Sequence, residues 1–332
     1  METTTLGNSG IEASRIGLGT WAIGGWMWGG TDEQASIDTI RSAVDRGITL
    51  IDTAPVYGFG RSEELVGRAL AGGYRDKVVL ATKLGLEWSR DGGSIRRNAG
   101  AARIRAEIED SLRRLRTDRI DLYQVHWPDA ATSVEETAAA LEALRREGKI
   151  RAIGVSNFTP AQMQAFARHA PLAAAQPPYN LFERGIEEQV LPWCRERGVA
   201  ALTYGALCRG LLSGKMTPER RFEGDDLRRN DPKFRPPRFA QYLAAVRALD
   251  AYARDRYGKD VLALAVRWVL DQPGVSVALW GARRPDQLDA AADVFGWHLD
   301  AEAMRDIDHI LDRHVTDAVG PEFMAPPENA PA

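Results

Sequence analysis

Ile48-Thr-Leu-Ile-Asp52-Thr-Ala-Pro-Val-Tyr57-Gly-Phe-Gly-Arg-Ser62-Glu63 is the stretch whose reading decides the fold. A short apolar run closes abruptly on Asp52, a turn-rich segment carries Tyr57 between Pro55 and Gly58, and Ser62 opens a helical pattern. In a parallel α/β protein the carboxyl ends of strands face the ligand crevice. A carboxylate and a phenol placed there are the beginning of a proton-transfer site. Taken singly, each reads equally well as a capping aspartate or a packing tyrosine in an ordinary strand-to-helix loop.

Outward from this stretch the same unit repeats. Apolar runs at Ile16–Thr20, Ile48–Asp52, Val78–Lys83, Ile120–His126, Ile150–Ser156, Ala173–Gln176, Ala200–Tyr204 and Val275–Trp280 are each followed by helical sequence. Helix starts are marked by Thr31 with Gln34, by Ser133 with Glu136, and by Thr159-Pro160-x-Gln162. Ile104, Ile108, Leu112 and Leu115 share one face of a helix over Ala101–Leu115. Further helices are expected over Ser62–Ala71, Ile186–Arg197, Phe239–Tyr257, Asp260–Leu270, Pro285–Phe295 and Ala301–His314. Most strand starts lie about 25–40 residues apart, the length of a βα crossover unit. Such units with no break in composition predict a closed (β/α)8 barrel occupying residues 1–332 as one domain. An N-terminal hairpin (Thr3–Leu6 with Ile11–Ser14), a long loop over Leu207–Arg238, extra C-terminal helices and an extended or frayed tail from Gly320 to Ala332 complete the expectation. An open dinucleotide-binding sheet is disfavoured, because Gly17 and Gly19 precede Thr20 and Trp21 rather than a helix.

Composition narrows the function. A net charge of −3, from 43 basic and 46 acidic side chains, gives no global attraction to nucleic acid or to an anionic membrane. Two cysteines, Cys194 and Cys208, define no disulfide framework. The opening Met1-Glu-Thr-Thr-Thr5 has neither the basic nor the apolar region of a signal peptide, and no apolar run approaches a membrane span, so a cytoplasmic protein is expected. No His-x-His pair or carboxylate–histidine cluster closes the strands, so no metal is expected.

Asp52, Lys83 and His126 each end an otherwise apolar strand, and Tyr57 lies just beyond the second. Ionisable groups in such places are costly unless partnered. Together they make one device: Asp52 holds Lys83 charged, the ammonium lowers the Tyr57 pKa from about 10 toward neutrality, and His126 orients a carbonyl oxygen. Such a group polarises a C=O and protonates it, which is general acid catalysis with oxyanion stabilisation.

These residues resemble the aldo-keto reductases, over roughly Leu6 to Leu311. Asp52-Thr-Ala-x-x-Tyr57-Gly-x-Gly-x-Ser62-Glu63 resembles that family's most specific motif. Ala81-Thr-Lys83, Asp121-Leu-Tyr-Gln-Val-His126-Trp-Pro, Gly154-Val-Ser-Asn-Phe158 and Gly281-Ala-Arg283 recur at the corresponding places. The resemblance implies a barrel that uses a nicotinamide cofactor, with Asp52, Tyr57, Lys83 and His126 as catalytic tetrad. The long loop before the last strand resembles a bacterial branch related to potassium-channel β subunits, which leaves a redox-sensing regulatory subunit as the alternative to a carbonyl reductase.

By the same resemblance Ser156, Asn157 and Gln176 would bind the nicotinamide carboxamide, Tyr204 would stack on its ring, and Gly19, Thr20 and Trp21 would border it. Gly205, Leu207, Arg209 and Gly210 fall where a loop covers the pyrophosphate. Gly281-Ala-Arg283-Arg284-Pro-Asp-Gln287 opens a helix whose amides suit a phosphate, and Arg283 or Arg284 pairing with a 2′-phosphate favours NADP(H), with NADH the weaker alternative. Gln287 stands where many relatives have arginine and Ala291 where many have Asn or Glu, which puts cofactor preference in question. Trp21, Trp88 and Trp127 fall in mouth loops, where with Tyr57 and His126 they either wall the pocket for a small carbonyl or alcohol substrate or pack beneath the loops. Arg228, Arg229, Lys233, Arg235 and Arg238 outnumber Asp225, Asp226 and Asp231 in one loop, which either clasps phosphates or is a solvated face.

Overall fold

A computed structural model describes residues 1–89, 92 and 94–328. The strands, in chain order, are β1 (Thr3–Thr5), β2 (Glu12–Ser14), β3 (Ile16–Gly19), β4 (Leu50–Asp52), β5 (Val79–Leu84), β6 (Leu86–Trp88), β7 (Ile95–Arg97), β8 (Ile120–Val125), β9 (Ile150–Ser156), β10 (Ala174–Gln176), β11 (Ala200–Thr203) and β12 (Val275–Gly281). The α-helices are α1 (Glu33–Asp45), α2 (Arg61–Ala69), α3 (Ala101–Leu115), α4 (Val134–Arg146), α5 (Pro160–Phe166), α6 (Val190–Arg197), α7 (Arg238–Tyr257), α8 (Val261–Asp271) and α9 (Ala301–His314). Parallel pairing in the order β10-β11-β12-β3-β4-β5-β8-β9 closes a barrel, so each barrel strand neighbours the next in sequence. This is the (β/α)8 barrel.

Side-chain alternation divides the core in two. Leu50, Val79, Ala81, Leu122, Ala152, Ala174, Leu202, Val277 and Leu279 fill the barrel interior, together with Leu6, Ile11 and Ala13 from the β1–β2 hairpin. The intervening residues, among them Ile51, Leu80, Tyr123, Val125 and Ile153, pack under the helices. Gly17 is part of this fit, since a Cβ there would come within 2.7 Å of the Leu279 side chain.

Local differences from the sequence expectation have local causes. The cap of α1 is Asp32, whose carboxylate accepts from the Ala35 amide at 2.9 Å, rather than Thr31; either short polar side chain can cap, and the acceptor one residue later meets the turn. The Thr159–Gln162 capping box forms as expected. The pairing of β6 with β7 was not anticipated, because each strand is only three residues long and shows little alternation. Pro285–Val294 forms 3-10 turns rather than an α-helix. The loop after β11 holds short 3-10 turns at Cys208–Ser213, Leu227–Arg229 and Pro232–Phe234.

The tail is docked rather than frayed as far as residue 328, and residues 329–332 lie outside the described residues. The Val319 amide donates to Tyr242 Oη at 3.3 Å, Lys233 donates to the Gly320 carbonyl at 2.9 Å, and Arg97 donates to the Pro326 carbonyl at 2.9 Å. No helix among the described residues is long and apolar enough to cross a membrane.

Candidate active site

The mouth of the barrel is built by strand register. Gly19 lies beside Asp52 on one side and Gly281 on the other. Lys83 lies beside Gln124, Gln124 beside Gly154, and Ser156 beside Gln176. Side chains far apart in sequence are thereby set in one layer at the carboxyl ends of the strands, where the strand-end residues were expected to meet.

Lys83 is fully buried and spends its donors on three oxygens: Asp52 Oδ2 at 2.6 Å, the Thr53 carbonyl at 3.0 Å and Tyr57 Oη at 3.2 Å. An ammonium only donates, so the phenol oxygen accepts from Lys83 and keeps its own proton for another partner. Tyr57 is fixed from its other sides by Trp21, stacked at 5.9 Å between ring centroids, and by the edge of His126 at 5.7 Å. Behind it, Gly58 adopts φ +66°, and a Cβ there would stand 2.1 Å from the Gly24 carbonyl oxygen. The Tyr57 turn and the loop after β3 touch backbone to backbone, which only glycine permits.

Charge at the site differs from the sequence expectation. Burial, and next the Asp52 carboxylate, push the Tyr57 phenol well above its usual value rather than toward neutrality. Lys83 was expected to lower it, but Asp52 offsets the ammonium, and desolvation of a phenolate outweighs the remainder. Burial also lowers the Lys83 pKa despite the ion pair with Asp52. Burial and then the nearby Lys83 hold His126 well below the ordinary imidazole value, so the ring is neutral at pH 7.

The other expected residues divide. Gln176 does come to the mouth, but its amide donates to Asp52 Oδ1 at 2.8 Å. Gln124, which sequence reasoning passed over, donates to the same oxygen at 3.3 Å. Ser156 Oγ donates to the Gln176 carbonyl at 2.8 Å, and Asn157, at φ +62°, donates to the His126 carbonyl at 3.0 Å while accepting from Tyr204 Oη at 2.9 Å. Thr20 is withdrawn from ligand contact: its buried hydroxyl donates to the Asp52 carbonyl and meets Ser62 Oγ at 2.8 Å. Glu63 of the sequence motif is likewise structural, taking Arg114 Nε and Thr82 Oγ1, each at 2.7 Å.

The Arg209 side chain is committed within the protein: its buried guanidinium is paired with Glu183 and, at 2.7 Å, with Asp231, and Lys233 joins Glu183 at 2.8 Å. Beside it, Gly205 and Gly210 take positive φ and Leu207 leads into the turn at Cys208–Ser213. The amides after β12 are met from within the chain. Gln287 Oε1 accepts from the Arg283 and Arg284 amides at 2.8 and 3.2 Å, and Pro285 has no N–H.

A charged cluster remains. Arg283 donates to the Trp28 carbonyl at 2.8 Å, and its pKa is lowered first by burial and then by Arg228, with Arg284 and Arg220 adding to the repulsion. Asp226 opposes them. Arg284 is exposed and faces Asp286 at 3.1 Å. Asp225 accepts from the Met27 and Gly29 amides at 2.7 and 3.3 Å, tying the long loop to the loop after β3. Arg228 is buried and paired with Asp226, and the half-buried Arg283 that it repels suits an anion. The amides of Gln176 and Asn157, the Ser156 hydroxyl and the Tyr204 ring suit a planar carboxamide-bearing ring, so this donor set fits a nicotinamide dinucleotide.

Aromatic rings wall the mouth. Trp88 packs on Phe59 at 5.8 Å and Trp26 on Phe59 at 4.9 Å, while the Arg97 guanidinium lies 5.2 Å over Trp127. Trp26 and Phe59 had the same signal as Trp21, an aromatic in a Gly-rich loop, and went unremarked. Among the described residues no group of His, Cys, Asp and Glu is arranged to hold a metal ion.

A model of the aldo/keto reductase family matches residues 15–312. The chain belongs to that family. It is 61% identical over 328 residues to the aldo-keto reductase YhdN of Bacillus subtilis, covering 98% of each chain. It is 37% identical to an NADH-specific methylglyoxal reductase of Escherichia coli, covering 94% of this chain and 100% of that one. The solved structure of the glycerol dehydrogenase AKR11B4 from Gluconobacter oxydans superposes with TM-score 0.86 at 55% identity, covering 95% of this chain and 96% of that one. This member of the aldo/keto reductases is thus an oxidoreductase.

Proposed function

We propose that the chain, acting as one barrel domain, reduces aldehyde or ketone carbonyls to alcohols, reversibly, with NADP(H) as preferred cofactor. The observation that carries this reading is the single ammonium of Lys83 bridging Asp52 and the oxygen of Tyr57. Two relatives named for a carbonyl and for an alcohol, methylglyoxal and glycerol, agree with a reversible reaction of that class.

The bound cofactor supplies the hydride. Tyr57 delivers the proton to the carbonyl oxygen: its raised pKa keeps it in the acid form at neutral pH. Lys83 donates to the same phenol oxygen, so it stabilises the phenolate as the proton leaves, and Asp52 keeps Lys83 charged and aimed. Neutral His126 donates to the substrate oxygen and orients it. The aromatic wall of Trp21, Trp26, Trp88 and Trp127 excludes water. Gln176, Ser156, Asn157 and Tyr204 hold the nicotinamide end, and Arg283, backed by Arg228, takes the adenosine phosphate, which favours NADP(H) although one relative is NADH-specific.

The test is turnover of the purified protein with a panel of aldehydes, ketones and alcohols under NADPH and NADH. Binding of either cofactor without turnover of any member would support the regulatory alternative instead.

A further inference from the structure

Gln124 is a fully buried amide on the inward face of the barrel, at the level where the aliphatic lining gives way to Lys83, Asp52 and Gln176. It stands on β8 two residues before His126 and two after Leu122, so it shares the inward face with Leu122. A polar side chain there requires partners on every side. It has them: Nε2 donates to Asp52 Oδ1 at 3.3 Å, and Oε1 accepts from Gln176 Nε2 at 3.4 Å. The neighbouring strand makes room for it. Gly154 is its register partner on β9, and a Cβ at Gly154 would come within 2.8 Å of Gln124 Cγ.

This arrangement has one direction only. A carboxylate accepts and does not donate. Asp52 therefore requires the NH2 ends of both glutamines, and the Gln176 carbonyl oxygen is the end turned from it. With Oδ1 held by two amides, Oδ2 is the oxygen left for Lys83, at 2.6 Å. We propose that Gln124 is a positioning residue for the proton-transfer site: by bridging Asp52 and Gln176 it fixes which carboxylate oxygen faces Lys83 and which end of the Gln176 amide faces the cofactor. The proposal rests on the carbonyl-reductase reading. It assigns Gln124 no contact with substrate. It links two functions that are otherwise separate, the charge behind Tyr57 and the seating of the carboxamide.

Two replacements and one control test it. Gln124→Met keeps the length and bulk in the space that Gly154 leaves and removes both hydrogen bonds. Its melting temperature should stay within a few degrees of wild type, kcat should fall about tenfold, and the cofactor Kd should rise several-fold. Gln124→Glu supplies a proton donor only while the new carboxyl is protonated. Once ionised, it stands against Asp52; Lys83 on β5 is the facing cation, the titratable His126 lies two residues on, and the β9 and β10 neighbours, Gly154 and Gln176, are uncharged. Two carboxyls sharing one site cannot both ionise freely, so kcat should be near wild type in acid and fall through a new inflection as pH rises. A packing role would depress activity equally at all pH and add no inflection. Wild-type kcat and cofactor affinity in Gln124→Met, or a Gln124→Glu profile parallel to wild type, would overturn the proposal. Tyr57→Phe separates the two levels: if it stays active the reductase reading itself fails, whereas an inactive Tyr57→Phe beside unaffected Gln124 variants removes only this inference.

Discussion

Replacing Lys83 by Met should destabilise the protein through Asp52, and replacing Asp52 as well should restore most of the loss. Lys83 is fully buried, Asp52 is 2% exposed, and their atoms meet at 2.6 Å. Removing the ammonium leaves the carboxylate with only the Gln176 and Gln124 amides. Breaking one side of a buried pair costs about 3–5 kcal/mol, because a buried charge is left uncompensated. At ~2 °C per kcal/mol, the value suited to a large domain, the melting temperature should fall by about 6–10 °C. Lys83→Met/Asp52→Asn removes both charges, and a buried pair exchanged for neutral groups is close to neutral in stability. The double variant should therefore lie within about 1–2 kcal/mol of wild type. Thermal denaturation by circular dichroism of wild type, Lys83→Met, Asp52→Asn and the double variant measures this without needing activity. Additive losses in the double variant would refute the reasoning, since they would mean that the two side chains stabilise the fold independently.

Tyr57→Phe should leave cofactor binding intact and lower kcat for carbonyl reduction by roughly 10²–10⁴-fold; retention of more than about a tenth of wild-type kcat removes Tyr57 as the acid. His126, held below the ordinary imidazole pKa by burial, protonates more readily in the unfolded chain. Its contribution to stability is therefore full above about pH 6.5 and is lost as pH falls below that value, a slope that pH-dependent melting should show in wild type and not in His126→Asn. With Tyr57 raised and His126 neutral, the rate of reduction should carry no inflection from either group near neutrality, which a kcat profile from pH 6 to 9 checks. Arg283→Ala should weaken NADPH binding by about one to two orders of magnitude, the loss of a charge-assisted pair of roughly 1.5–3 kcal/mol, and leave NADH nearly unchanged. Arg284→Ala should do less, because Asp286 already faces that charge; equal affinity of the wild type for both cofactors in fluorescence titration would sink the preference.

The barrel was legible because most strands are largely apolar runs that stop at a polar residue, and the stop marks the mouth. Asp52, Lys83 and His126 were found by that signal. Gln124 was not, because a polar residue inside a strand looks the same whether it faces solvent or a partner within the barrel. Gln176 was seen but given one role. Its bond to Asp52 joins residues 124 positions apart and depends on barrel closure, which no local pattern encodes. The Tyr57 pKa went the wrong way for a related reason: sequence proximity suggests which charges are near, while burial, the larger influence here, is a property of the closed mouth. The partners that hold the Arg209 side chain and the Arg283 and Arg284 amides, Glu183, Asp231 and Gln287, were not legible because they come from the fold rather than the motif. Between Thr31 and Asp32, two adjacent short polar residues, only the turn geometry chooses the cap.

The buried set of Arg209, Glu183, Asp231 and Lys233 gives the rim of the mouth its own response to heat. These charges tie the start and the later part of the long loop to each other and to Glu183 in the segment after β10, away from water. Taking ions out of water becomes less unfavourable as temperature rises, because their hydration entropy is strongly negative, whereas apolar burial gains little more per unit area. The anchor is thus relatively strongest near the upper end of the working range, where hinges held by apolar contact alone begin to loosen. Asp231→Asn should reverse that order, and trypsin cleavage at the exposed Arg220 and Arg221, followed as the sample is warmed, would show the loop released earlier than in wild type.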